Sequence, residues 1–74
     1  MKELVEYIAR SIVDDPEQVN VTEGYGDGVV LNLHVAPDDM GKVIGKQGRI
    51  ATAIRALLKV AAIKQGVRVT LNIE

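Results

Sequence analysis

The sequence predicts an α+β fold: three strands in one sheet, with helices packed on one face, in the order α-β-β-α-α-β. Three observations carry this. Apolar residues recur at helical spacing in two stretches, residues 2–13 and 49–65. They alternate with polar residues in two others, Val29 to Val35 and Val67 to Ile73. Between the last two helical stretches lies Gly45-Lys46-Gln47-Gly48, a pair of glycines that no continuous helix accommodates well.

Each element has a local cause. In the first helix Leu4, Val5, Ile8, Ala9, Ile12 and Val13 share a face. Asp14-Asp15-Pro16 ends it, because the residue before proline avoids helical angles. Val19 and Val21, alternating with Asn20 and Thr22, make a short strand, and Gly24-Tyr25-Gly26-Asp27-Gly28 reads as a turn or loop. In the next strand Val29, Leu31, Leu33 and Val35 face one way, while Val30, Asn32 and His34 face the other.

Pro37-Asp38-Asp39 opens a short helix to about Ile44, with an aspartate as its cap. The long helix runs from Arg49 to Gln65, with Ile50, Ile54, Leu57, Leu58 and Ala61 as its expected buried stripe. Gly66 stops it. Val67, Val69, Leu71 and Ile73 then alternate with Arg68, Thr70 and Asn72 in the last strand. Each strand has one apolar and one mostly polar face, so one side of the sheet stays wet.

At 74 residues the chain has room for one domain with a small core. With no cysteine, aliphatic packing must hold it together, with self-association as a further source of stability. No long apolar stretch suggests a leader or a membrane span. The formal net charge of −1 argues against a uniformly basic protein, but the charges are segregated. Residues 1–39 hold two basic against nine acidic side chains, and residues 40–74 hold seven basic against one acidic. The basic half contains the glycine pair, which points to an anionic partner on one side.

Catalytic and metal readings find little support. His34 is the lone histidine, on the polar face of a strand, with no neighbouring nucleophile pattern. Asp14-Asp15 and Asp38-Asp39 sit at helix boundaries, where turn and cap roles explain them. Gly24-x-Gly26-x-Gly28 lacks dinucleotide spacing, and it precedes a strand where that motif opens a helix. Gly41-x-x-x-Gly45-Lys46 is too short for a P-loop and has no Ser or Thr after the lysine. No catalytic residue, metal ligand or cofactor is expected.

The glycine pair has a specific use. A Gly-x-x-Gly turn between helices lets a sugar-phosphate backbone approach the main chain without meeting a Cβ. The following helix can present its positive end to phosphate. With Val43-Ile44 before it and Arg49-Ile50 after it, and with the predicted element order around it, the chain resembles type II KH domains over essentially its whole length. At this size it is similar to the small stand-alone bacterial RNA-binding proteins of the KhpA family.

That resemblance implies single-stranded RNA clamped by Gly45, Lys46, Gln47 and Gly48, as in KH modules generally. It further implies that Val43, Ile44, Ile50, Ala51 and Ile54 line an apolar groove for bases, that Lys42 and Arg49 contact phosphate, and that Leu31 and Leu33 close the groove from the sheet side. For Ile44, Ile50 and Ile54 plain core packing is the competing reading. The resemblance also implies a cytoplasmic RNA chaperone, a KhpB-like partner, a homodimer, and an influence on cell elongation and the envelope. Neither Tyr7 nor Tyr25 lies in the motif, and Phe and Trp are absent, so no aromatic stacks a base there. Three cations near the loop give an expected salt slope of roughly −2, and weak, broad binding by one copy. The rival reading is a dimerisation or protein-interaction module with incidental RNA contact.

Overall fold

The computed structural model describes all of residues 1–74. It contains helix α1 (Lys2–Ile12), strands β1 (Asn20–Gly26) and β2 (Gly28–His34), helices α2 (Met40–Ile44) and α3 (Arg49–Gln65), and strand β3 (Val69–Ile73). Single 3-10 turns stand at Pro16–Gln18, Pro37–Asp39 and Lys46–Gly48. The order is therefore α-β-β-α-α-β, as expected. No helix is long and apolar enough to cross a membrane.

Strand β2 is central, antiparallel to β1 and parallel to β3, so β1 and β3 are both edges. Its apolar side chains lie under the helices. Leu31 and Leu33 are completely buried and join Val5, Ala9, Val21, Val43, Ile54, Leu58 and Leu71 in one core. On the opposite face Asn72 Nδ2 donates to Asn32 Oδ1 at 3.0 Å, a polar rung between neighbouring strands.

Four local expectations need correction. Residues Gly24 to Gly26 belong to β1 and form no loop: Gly24 pairs with Val30 and Tyr25 with Val29, leaving Asp27 alone to reverse the chain. The cross-strand partner satisfies the backbone there, which outweighs the weak strand preference of glycine. Val67 is not in the last strand. Its N–H donates to Ala62 O at 3.0 Å while Gly66 N–H donates to Ile63 O at 3.1 Å. These two bonds close the end of α3 as a Schellman motif, with Gly66 at φ +70.

The third concerns α3. Its buried line is Ala51, Ile54, Leu58 and Ala62. Ile50 and Leu57, expected in that stripe, are 38% and 54% exposed. With α1 and α2 sharing the helical side of a three-stranded sheet, α3 buries only a narrow stripe. Its outward face carries Leu57, Val60 and Ile63, all more than half exposed.

The aspartates after α1 acquire a role in this packing. Asp39 does not cap α2. Its carboxylate is buried at 2% exposure and accepts the backbone N–H groups of Asp14 and Asp15 at 3.1 and 3.0 Å. Lys42 Nζ lies 2.8 Å from Asp14 Oδ2 and 3.5 Å from Asp39 Oδ1. Burial pushes the Asp39 carboxyl up, but the two N–H donors and Lys42 together outweigh it and hold the group below its ordinary value. The chain end of α1 is thereby tied to the start of α2.

Candidate nucleic-acid interface

Helix α2 ends at Ile44 because Gly45 leaves helical space, at φ 76 and ψ 174. A Cβ built on Gly45 would lie 2.6 Å from Ile50 Cγ1, so the side chain that follows the loop packs directly on the glycine that opens it. Gln47 and Gly48 both take positive φ, 57 and 72. Gly48 N–H donates to Gly45 O at 3.1 Å, which closes a single tight turn between the helices. This turn leaves Lys46 and Gln47 exposed at its tip. The loop and α3 meet without a side-chain cap, leaving the positive end of a 17-residue helix open toward the loop.

The residues expected to form the site separate into two groups. Gly45, Lys46, Gln47 and Gly48 form the turn, with Arg49 exposed beside it, its Nη2 donating to Gln47 Oε1 at 3.3 Å. Ile44 and Ile50 flank the turn, each more than a third exposed. Val43, Ala51 and Ile54 are not on the surface: each is at most 3% exposed and supports the loop from below. Lys42 is engaged with Asp14 and Asp39, so it braces α2 against the end of α1 and is not a free cation at the loop.

Leu31 and Leu33 cannot close a groove, because they sit fully buried on the central strand. The strand that borders α3 with an open edge is β3. A cleft of about 520 Å³ runs between α3 and this edge. Small-ligand pockets span roughly 300–1,000 Å³, so there is room for a base. Its lining is mostly apolar, including Leu58, Ala62 and Val69, with Arg55, Lys59 and Arg68 at its margins. Arg55 reaches across it, donating from Nε and Nη2 to Leu71 O at 3.4 and 3.2 Å. Along α3, Arg55 stands about 9 Å beyond Arg49, the first residue after the loop.

Arg55, Lys59, Arg68 and the β3 edge were not among the expected site residues. The signal for Arg55 was present: Ala51, Arg55, Leu58 and Ala62 fall at helical spacing on one side of α3. What the sequence did not disclose is that β3 would be an edge strand lying beside that line. None of Lys46, Arg49, Arg55, Lys59 or Arg68 forms an ion pair. One margin of the molecule therefore carries unpaired positive charge from loop to cleft.

Two helices joined by a Gly-x-x-Gly turn, packed on a mixed sheet in this order, define a type II KH domain. The chain matches the family model described as KhpA/KhpB, KH domain, over residues 2–73, and it belongs to that family. It is 60% identical over 74 residues to RNA-binding protein KhpA of Clostridium perfringens, covering 99% of each chain. The protein of the same name from Clostridium acetobutylicum is 57% identical, again over 99% of each chain. That of Aquifex aeolicus is 49% identical, over 99% of this chain and 94% of its own. No solved structure matches the chain.

Proposed function

We propose that this protein is a non-catalytic binder of single-stranded RNA. The strand's sugar-phosphate backbone crosses Gly45 to Gly48, and its bases enter the cleft between α3 and β3. The supporting observation is the turn itself: two glycines hold the main chain open to close approach, beside unpaired Lys46 and Arg49. The relatives' name, RNA-binding protein, agrees with this reading. Exposed Ile44 and Ile50 would meet the sugars or bases nearest the loop, while Lys42, Val43, Ala51 and Ile54 hold the loop in place.

The acidic residues of the first half would repel RNA elsewhere and restrict binding to one side. With no aromatic at the site, one copy would bind weakly. Useful affinity would come from a second RNA-binding domain on the same assembly. A role as a cytoplasmic RNA chaperone working with a KhpB-like partner, with effects on cell elongation and the envelope, fits such weak and broad contacts.

A double variant, Lys46→Asp with Gln47→Asp, tests the clamp. RNA recovered by crosslinking from lysate is expected to fall sharply while helix content is unchanged. Normal recovery by the folded variant would refute the assignment.

One observation favours a second reading, in which the domain serves mainly to assemble. Leu57, Val60 and Ile63 form an exposed apolar line on α3. That face would hold a second copy or a KhpB-like partner, and sedimentation of the purified chain with and without RNA separates the cases. A strictly monomeric chain that still recovers RNA would remove the assembly reading.

A further inference from the structure

We infer that the open edge of β1 takes up a basic, extended polypeptide segment as a fourth strand. This edge lies on the other side of β2 from the α3–β3 cleft, and the inference does not depend on the RNA-binding reading. Along β2, Val29 N–H donates to Arg68 O at 2.8 Å, and Leu33 O accepts from Glu74 N–H at 2.8 Å. Both residues therefore turn their backbone groups toward β3. Such groups alternate sides along a strand, so Val30 and Asn32 turn theirs toward β1. Their partners there are Gly24 and Thr22. Val21, Glu23 and Tyr25 are left with N–H and C=O groups that point outward from the edge.

The strand lacks the usual protections of an edge. Its register runs from Asn20 to Gly26 without a bulge, and it contains no proline and no lysine. Charge selects the occupant. No lysine or arginine occurs between Arg10 and Lys42. Glu17, Glu23 and Asp27 stand before, within and after the strand, all exposed and none in an ion pair. Two copies meeting edge to edge would double that charge along one seam, which disfavours self-pairing. A cationic segment neutralises it. Tyr25 adds a second feature: it is 78% exposed, and its hydroxyl donates to Glu23 Oε2 at 2.6 Å. Glu23 and Tyr25 share a face of the strand. A lysine or arginine opposite Glu23 would pair with the carboxylate and lie against the Tyr25 ring. On the other face Asn20, Thr22 and Gly24 suit small polar side chains. The fitting segment therefore carries cations at every second position, held by its main chain and selected by its alternate side chains.

The test titrates the full chain with a short peptide alternating lysine and threonine, and with a counterpart in which glutamate replaces lysine. Backbone amide shifts locate each peptide, and hydrogen exchange reports whether the outward N–H groups gain protection. The lysine peptide is expected to shift and protect Val21, Glu23 and Tyr25, and the glutamate peptide to leave them unchanged. Glu23→Gln removes one charge and is expected to weaken binding of the lysine peptide about fivefold at low salt, the upper scale of one exposed pair. Glu23→Pro also removes an outward N–H, which an edge strand tolerates, and is expected to abolish that binding. Circular dichroism confirms the fold of each variant. If Glu23→Pro does not fold, Glu23→Gln and the two peptides decide. Equal binding of both peptides, shifts confined to other elements, undiminished binding by Glu23→Gln, or no binding of the lysine peptide overturns the inference. Protection of the three amides that grows with protein concentration in the absence of peptide would show a second copy on this edge, and overturns it as well. None of these outcomes bears on the glycine turn, which is tested with RNA.

Discussion

Ile50 occupies the space that any side chain on Gly45 would need, with Cγ1 2.6 Å from a Cβ placed there. The first glycine of the turn is thus fixed twice, by its φ of 76 and by the residue it packs against. Gly45→Ala is expected to destabilise the fold by about 1–3 kcal/mol, the usual scale of such backbone strain. It should also weaken RNA binding, because Ile50 must move from the loop's flank. Thermal melting and oligonucleotide titration of the variant check both effects.

Asp39 gives a pH dependence whose sign is fixed by its depressed pKa. Its contribution to stability is complete above 3.8, the ordinary aspartate value, and fades as pH falls through the lower folded value. Lys42 is shifted the other way, raised chiefly by its hydrogen bond to Asp14. Its contribution is complete below 10.5 and is lost as pH rises through the folded value. Asp39→Ala should lower the melting temperature at neutral pH and flatten the acid limb of the stability curve. An acid limb unchanged from that of the natural chain would show that this clamp contributes nothing.

Lys42 also separates structure from binding. Because it is paired with Asp14 and Asp39, Lys42→Ala is expected to lower stability and leave the salt slope of RNA binding unchanged. If RNA lies as proposed, the unpaired Lys46, Arg49, Lys59 and Arg68 would meet phosphates and give a slope of roughly −3 on single strands. Contacts at the loop alone, from Lys46 and Arg49, would give roughly −1.4. Titration across a range of salt concentrations distinguishes the two.

Adjacent leucines on α3 should behave oppositely. Leu58 is 1% exposed in the core, so Leu58→Ala is expected to cost about 2–5 kcal/mol. Leu57 is 54% exposed, and Leu57→Ala should stay within roughly 0.5 kcal/mol in the monomer. A large effect at Leu57 that grows with protein concentration would report a partner on that face. Denaturant unfolding at two concentrations provides the comparison.

Much of this was legible in the chain. Strand alternation located β2, the proline and glycine stops bounded α1 and α3, and the Gly-x-x-Gly run marked the turn between helices. Where the reading failed, the cause lay in tertiary neighbours. Gly24 to Gly26 look like a loop until β2 supplies partners for them. Leu57 looks like core until α1 and α2 have taken up the sheet's face. The resemblance puts Leu31 and Leu33 at a groove wall, but alternation identifies only their apolar face and not that their strand is central and covered. Lys42 looked like a phosphate ligand because Asp14, distant in sequence, is close to it only in the fold.

Whether RNA lies along the loop and the α3–β3 cleft is tested most directly by a residue-by-residue map of backbone amide shifts on titration with a short single-stranded oligonucleotide. The largest changes are expected at Gly45 to Gly48, at Arg49 and Ile50, and along Val69 to Ile73. Changes confined to α1 or to the wet face of the sheet around Asn32, His34 and Asn72 would contradict that placement.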